Sequence, residues 1–353
     1  MKELTKQLRN GIDLTLEQVR AVSRELADPL APDSDKAEFL IALKEKGESG
    51  EELGYFAISF LDLAVRPPLL SEKRLAIDIV GTGGDYLELV NVSTACMFLL
   101  AAGGALVIKH GNKAITSKCG SADVLEALGI PVAGPIERMM ECIEQTGIGF
   151  LFAPMYHPAF RLVAPIRKKL AEQGIATVFN LLGPLLNPAR PNSQLIGVFS
   201  PVILEKYAVA LKKLDRRRAW VVHGQVSAGS GMDEISLLGE TVVYELKEDS
   251  LNRFHLFPEE LGFRKPVLHE LRGSDAAGNA KAITDILAGK DRGARRDLIV
   301  INAAGALVVA GLAKRMEDGV RLANELLDSG GALQKLHEFQ AFFGAAQGIS
   351  RTD

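Results

Sequence analysis

The sequence predicts an α/β protein with a small, discontinuous N-terminal helical subdomain. Beside it lies a larger α/β domain whose central sheet is mostly parallel and flanked by helices. Three observations lead there. Throughout 1–66 apolar positions recur every three or four residues, the period of amphipathic helices. From residue 75 short apolar runs alternate with helical patterns, as strands joined by crossover helices do. The last third returns to helical periodicity.

In the first stretch the helical segments are "LTLEQVRAVSRELADPL", "DKAEFLIALKEKG" and "GEELGYFAISFLDLAV". Thr15, Asp33 or Ser34, and Ser49 are their N-cap candidates, and "RPP" at 66–68 stops the last, since proline brings no N–H to a helix. Strands are predicted at 75–80, 105–109, 148–152, 194–199, 219–223 and 241–246. Helices separate most of them at 92–103, 121–130, 135–146, 157–172 and 201–214, and four more follow at 275–289, 293–312, 316–328 and 331–343. "TVFNLLGPLLNPARP" reads as a turn between two helical pieces that packs back on the N-terminal helices. The helical subdomain is then 1–70 plus about 171–191, and the α/β domain 75–170 and 192–353, with the active site in the cleft between.

A chain of 353 residues exceeds most single cores, in line with two parts. Its 41 basic and 44 acidic residues leave a net charge of −3, which argues against a nucleic-acid-binding stripe. The three cysteines, Cys96, Cys119 and Cys142, lack CxxC spacing and fit packing roles in a reducing cytosol. "MKELTKQLRNGIDL" has no signal-type apolar core, and "NAAGALVVAGLA" at 302–313 is too short to span a bilayer. A cytoplasmic protein with neither membrane nor nucleic-acid partners is expected.

Four segments carry chemistry. Gly81-Thr82-Gly83-Gly84-Asp85 follows a strand and precedes a helix start marked by Asn91, Ser93 and Thr94. Strand carboxyl ends face ligand in open α/β sheets, and glycine-loop N–H groups beside a helix N-terminus attract anions. Neither GxGxxG nor GxxxxGK[ST] is present, because Tyr86 takes the third glycine position; a plain tight turn remains the alternative. The second segment, "KHGNKAITSKCGSADVLEALG" at 109–129, gathers Lys109, Lys113, Lys118, Thr116, Ser117 and Ser121 between two strand-to-helix transitions. That mixture reads as a polyphosphate or phosphosugar cradle. Asp233-Glu234 alone would be a solvated acidic pair, but beside a polyphosphate it could hold Mg²⁺. In "APMYHPAFRLVAPIRKKL" one of Arg161, Arg167, Lys168 and Lys169 could meet a carboxylate, a bidentate task for Arg. His157 and His223 read as structural, and no Ser/His/Asp or Cys/His order supports nucleophilic catalysis.

Together these segments resemble the anthranilate phosphoribosyltransferase family, whose pattern runs GTGGDG-x-x-TFNIST, KHGNRA-x-SS-x-SGSADVLEALG, LFAP-x-x-HPA, TIFNLLGPLLNP and HG…DEIS. The chain carries "GTGGD", "NVST", "KHGNKAITSKCGSADVLEALG", "LFAPMYHPA", "TVFNLLGPLLNPA", "MDEIS" and "INAAGALVVAG" in that order across most of 77–312. The resemblance implies a fold shared with pyrimidine nucleoside phosphorylases, a homodimer, Mg²⁺ as cofactor, and transfer of phosphoribose from phosphoribosyl pyrophosphate to anthranilate in tryptophan biosynthesis. It matches Gly81, Gly84, Asp85, Asn91, Val92, Ser93, Thr94, Lys109, His110, Gly111, Asn112, Lys113, Ala114, Ile115, Thr116, Ser117 and Ser121 to phosphoribosyl pyrophosphate. Gly81, Asn112 and Arg167 match anthranilate positions, and Ser93, Asp233 and Glu234 metal-linked ones. No residue is expected to act as nucleophile or base: catalysis would be electrostatic and positional.

The chain departs from the pattern at Tyr86, Leu89 and Val90, where the family has a small residue, a Thr and a Phe. Lys113 and Ala176 stand for arginines, and "AEQ" (171–173) lengthens the preceding helix. A paralogous transferase with another aromatic or nitrogen acceptor, or a non-catalytic binding protein of this fold, are the competing expectations.

Overall fold

A computed structural model describes residues 1–68, 75–114 and 119–347. The strands are β1 (Ala76–Gly81), β2 (Leu106–Gly111), β3 (Ile148–Phe152), β4 (Ser193–Gly197), β5 (Arg218–Ser227), β6 (Ser230–Met232), β7 (Thr241–Lys247) and β8 (Ser250–Leu256). They form one sheet in the order β3-β2-β1-β4-β5-β7-β8, with β6 beside β5. The first five strands of that order run parallel, and β6, β7 and β8 join antiparallel. All six expected strands are present, and β6 and β8 are additions. β8, "SLNRFHL", is an edge strand exposed along most of its length, so no apolar run marks it.

Helices α1 (Lys2–Arg9), α2 (Leu16–Leu26), α3 (Asp33–Lys46) and α4 (Gly50–Asp62) precede the sheet. Around it lie α5 (Val92–Ala102), α6 (Ser121–Ala127), α7 (Ile136–Thr146), α8 (Ala153–Tyr156), α9 (Pro158–Glu172), α10 (Phe179–Leu182) and α11 (Leu204–Lys213). The chain then turns through α12 (Ala276–Leu287), α13 (Ala294–Val309), α14 (Met316–Asp328) and α15 (Gly331–Gln347). Thr15 and Ser49 each cap their helix in a reciprocal box with Gln18 and Glu52. Neither Asp33 nor Ser34 caps α3, because that helix begins one residue earlier, behind Pro32, and Asp33 and Asp35 lie in its first turn near the positive end of the dipole.

Two apolar cores result. One packs α5, α13 and their neighbours on one side of β1–β3. The other joins Phe56 and Phe60 of α4 to Val163, Phe179 and Leu182, and continues through Tyr207 and Leu211 of α11 to Ile196 and Val221 of the sheet. At the α4–α11 crossing a Cβ on Gly50 or Gly54 would come within 2.8 Å of the Cβ of Val209 or Lys213, so only glycine allows this approach.

Candidate active site

Three parallel strands end in glycine at the same edge of the sheet: Gly81 of β1, Gly111 of β2 and Gly197 of β4. Two of them are required by Asp233. A Cβ on Gly81 would lie 2.3 Å from Asp233 Oδ2, and one on Gly197 1.6 Å from the Asp233 carbonyl oxygen. Asp233 is thus seated directly on the ends of β1 and β4. Its Oδ2 accepts the N–H of Gly83 at 2.7 Å.

Around this edge lies a cleft of about 270 Å³, lined by Gly81, Asp85, Asn91, Val92, Ser93, Lys109, His110, Gly111, Asn112, Ser121, Asp233 and Glu234 among others. Most of the residues expected from the sequence therefore meet in one place. Lys109 is buried at its floor; its Nζ donates to the Ile79 carbonyl at 2.5 Å and to Ser93 Oγ at 3.1 Å. Burial pulls its ammonium pKa down, while Asp78 and Glu234 hold it up.

The acidic side behaves oppositely. Desolvation, and then the charge of Asp85, push the Asp233 carboxyl up to about 8. Glu234 rises well above the carboxylate range for the same first reason, with Asp233 and Asp85 adding to it. Among the described residues neither forms an ion pair with Lys or Arg at salt-bridge distance. The described residues contain no cluster of three or more metal-ligating side chains. Two adjacent carboxyl groups with no ion-pair partner at salt-bridge distance, on a cleft that can admit further oxygen donors, fit a hard divalent cation that takes its remaining ligands from a bound anion and water.

Asn91 begins α5 without capping it, so the backbone N–H groups of Ser93 and Thr94 have no protein acceptor among the described residues. Thr94 is fully buried and does not line the cleft, so of these two N–H groups it is that of Ser93 that stands at the cleft wall. At α6, Asp123 Oδ2 accepts from the N–H groups of Gly120 and Ala114, both at 2.9 Å, and Ser121 faces the cleft. Lys113 is half exposed and paired with Glu126 at 2.9 Å. Ile115, Thr116, Ser117 and Lys118 lie outside the described residues.

Arg167, on α9, is not in the cleft wall but reaches it through a chain of rings. His110 and His157 stack edge-on at 5.2 Å, His157 meets Phe160 at 5.7 Å, and the Arg167 guanidinium lies over Phe160 and Phe179 at 5.8 and 5.4 Å. It has no carboxylate partner among the described residues, and burial lowers its pKa. Burial brings His157 down to about 4 and His110 well below its ordinary value, so both are neutral at pH 7. His110 Nε2 and both ring nitrogens of His157 are buried and make no hydrogen bond of ordinary geometry, although the backbone of Gly183 acts on the first ring and that of Leu186 on the second.

The "YLELV" segment is built into the fold rather than left as a loop. Leu89 bridges Arg272, the Val90 N–H donates to the Leu271 carbonyl at 3.1 Å, and the Gly273 N–H to the Glu88 carbonyl at 2.8 Å. Tyr86 and Glu88 adopt positive φ of 58° and 55°, a strained region for side-chain-bearing residues. Sequence reasoning also passed over Asp78, buried beneath Lys109. Its carboxylate accepts from Asn187 Nδ2 at 3.0 Å and the His110 N–H at 3.3 Å. An acidic residue inside the apolar strand "AIDIV" was the available signal.

Residues 73–333 match the glycosyl transferase family a/b domain, and residues 2–64 the helical bundle domain of the same family. The chain is 41% identical to anthranilate phosphoribosyltransferase of Chloroflexus aggregans, over 93% of this chain and 94% of that one. It is 44% identical to that of Rubrobacter xylanophilus, over 92% and 91%. Its fold is similar to the crystal structure of anthranilate phosphoribosyltransferase from Thermus thermophilus, with a TM-score of 0.87 at 40% identity over 96% and 98% of the two chains. It is also similar to the Saccharomyces cerevisiae enzyme in complex with PRPP and Mg, with a TM-score of 0.85 at 29% identity over 97% of each.

Proposed function

The chain belongs to the anthranilate phosphoribosyltransferases of the glycosyl transferase family, and from that premise we propose how its cleft works. It transfers the phosphoribosyl group of phosphoribosyl pyrophosphate to anthranilate, giving N-(5-phosphoribosyl)anthranilate and pyrophosphate for tryptophan biosynthesis. One observation carries our reading of the cleft: Lys109, the open N-terminus of α5 and the carboxyl groups of Asp233 and Glu234 line the same cleft.

In this reading the diphosphate lies against Lys109, the Ser93 N–H at the α5 N-terminus (with Thr94 just behind) and the glycine loop, where positive charge and oriented dipoles are already fixed. Asp233 and Glu234, with Ser93 nearby, would hold Mg²⁺, which when bound neutralises diphosphate oxygens. Arg167 receives the anthranilate carboxylate, filling the bidentate partner it lacks in the protein. Gly81 and Asn112 lie where the acceptor ring approaches. The amine nitrogen forms a bond to the anomeric carbon as the carbon–oxygen bond to diphosphate breaks and its electron pair leaves with the diphosphate. The nitrogen then sheds a proton. An aromatic amine is nucleophilic when neutral, so holding the two substrates in line is the main task of these side chains.

The helical part, 1–70 with about 171–191, and the α/β part, 75–170 with 192–353, meet across the site in this scheme. A cytosolic homodimer completes the scheme; among the described residues no helix is long and apolar enough to cross a membrane. The test is loss of anthranilate fluorescence on mixing with phosphoribosyl pyrophosphate, with and without Mg²⁺. Asp233→Asn with Glu234→Gln is expected to abolish the metal-dependent rate in a folded protein. Unchanged kinetics would remove the pair from the mechanism.

A further inference from the structure

Asn279, on α12, belongs to none of the motifs above and is 2% exposed. Its carboxamide is used at both ends. Oδ1 accepts the Ser274 N–H at 2.8 Å, while Nδ2 donates to the Ser274 carbonyl at 3.2 Å and to Asn91 Oδ1 at 2.7 Å. Asn91 in turn donates from Nδ2 to the Cys119 carbonyl at 3.3 Å.

Asn91 is the N-cap residue of α5, and asparagine at that position ordinarily turns its side-chain oxygen onto the N–H of the second or third helical residue. Here those N–H groups belong to Ser93 and Thr94, and no such bond forms. The oxygen that would make it is taken by Asn279, 188 residues further along the chain. The Ser93 N–H consequently stays available at the cleft wall, with the unbonded Thr94 N–H buried one residue behind it.

We propose that Asn279 is a positioning residue for the diphosphate: by holding Asn91 Oδ1 it stops α5 from capping itself and keeps the helix N-terminus open to the anion. This rests on the reading that the cleft takes the diphosphate of phosphoribosyl pyrophosphate. The surroundings fit a fixed part rather than a loose one. Gly273, whose Cβ would come within 2.4 Å of Asn279 Oδ1, lies in the same segment that holds Glu88 and Val90. Both sides of the Asn91 carboxamide are thereby set by the protein before ligand arrives.

The experiment measures phosphoribosyl pyrophosphate binding with Mg²⁺ by calorimetry, and the KM of each substrate. The proteins are the wild type, Asn279→Ala, Asn279→Asp, Asn91→Ala and the doubles combining Asn91→Ala with each Asn279 change. Once released, Asn91 competes for the N–H groups with about the strength of one side-chain cap, so Asn279→Ala weakens phosphoribosyl pyrophosphate binding by about fivefold or more. The anthranilate KM is expected to change by less than about twofold. With Asn91 already alanine no side chain is left to cap, so removing Asn279 adds no further loss. Asn279→Asp keeps the volume, cannot donate to Asn91 Oδ1 when ionised, and gives the same selective loss should the alanine variant fail to fold.

Additive losses in the doubles, equal losses for both substrates, or unchanged binding in the Asn279 variants would overturn the inference. If the wild type itself does not bind phosphoribosyl pyrophosphate, the reading of the cleft falls and the inference with it. Wild-type binding with unaffected Asn279 variants sinks the inference alone.

Discussion

Replacing Gly197 by alanine is expected to separate the acidic edge of the cleft from the rest. The added Cβ would stand 1.6 Å from the Asp233 carbonyl oxygen and 2.3 Å from its carbonyl carbon. Ordinary contact begins near 3.4 Å, so the Asp233 backbone has to retreat by about 1.8 Å. β4 cannot yield instead, because Gly197 is paired with Gly81 on one side and Val222 on the other. Misplacing an active-site group by about 1 Å costs roughly 100-fold in rate. We therefore expect kcat/KM to fall by about 100-fold or more, equivalent to about 2.7 kcal/mol of transition-state stabilisation. Overpacking should cost about 1–3 kcal/mol of stability, leaving the protein folded. The assay is anthranilate fluorescence across a Mg²⁺ titration, with a thermal melt alongside. Gly134→Ala is the control, since a Cβ there meets nothing within 4 Å. A Gly197→Ala protein with wild-type kcat/KM and wild-type Mg²⁺ requirement would refute the reasoning.

Because Asp233 holds its proton up to about 8 in the folded chain against 3.8 ordinarily, folding takes up a proton, and stability of the metal-free protein falls as pH rises through that window. Mg²⁺ has to displace the proton, so it is expected to raise Tm more at about pH 8.5 than at about pH 6. Equal shifts by scanning fluorimetry would contradict this. Arg167→Met removes a half-buried, unpaired charge, so Tm is expected to hold or rise while the anthranilate KM increases about 10- to 100-fold and the phosphoribosyl pyrophosphate KM does not. Arg167→Lys should not restore the anthranilate KM, for want of the planar fork; full restoration would show that charge alone suffices. Tyr86→Gly relieves a left-handed residue that is 78% exposed, with a net gain of about 0.5–1 kcal/mol in chemical denaturation, and a lowered midpoint would count against strain there.

The parallel strands were legible because each is an apolar run between turn signals, and the helices because their buried faces repeat. β8 was not, since an exposed edge strand needs no apolar run, and neither was the Pro32-led start of α3. At the site, the glycine loop and the lysine cradle showed themselves as contiguous motifs. Asp233 and Glu234 acquired meaning only beside a phosphate ligand, because sequence hides that Asp233 sits on two strand ends. Asp78, Asn187 and Asn279 act through contacts across 109 and 188 positions, and a single polar letter carries no mark of so distant a partner. "YLELV" looked like a hydrophobic interruption of a polar loop; it is the strip by which that loop is fastened to 271–273.

The close crossing at Gly50 and Gly54 bears on how this protein can be taken apart. Through it, α11 serves the helical layer with one face and the sheet with the other. A fragment ending near residue 64, where the helical-bundle match stops, would expose Phe60 without Phe160 and Phe179, which pack edge-on against it. Such a piece should not fold alone, and the intact chain should melt in a single cooperative transition. Anyone exchanging the helical module between relatives would have to carry α11 along with it, so the unit of recombination is larger than the unit of sequence similarity.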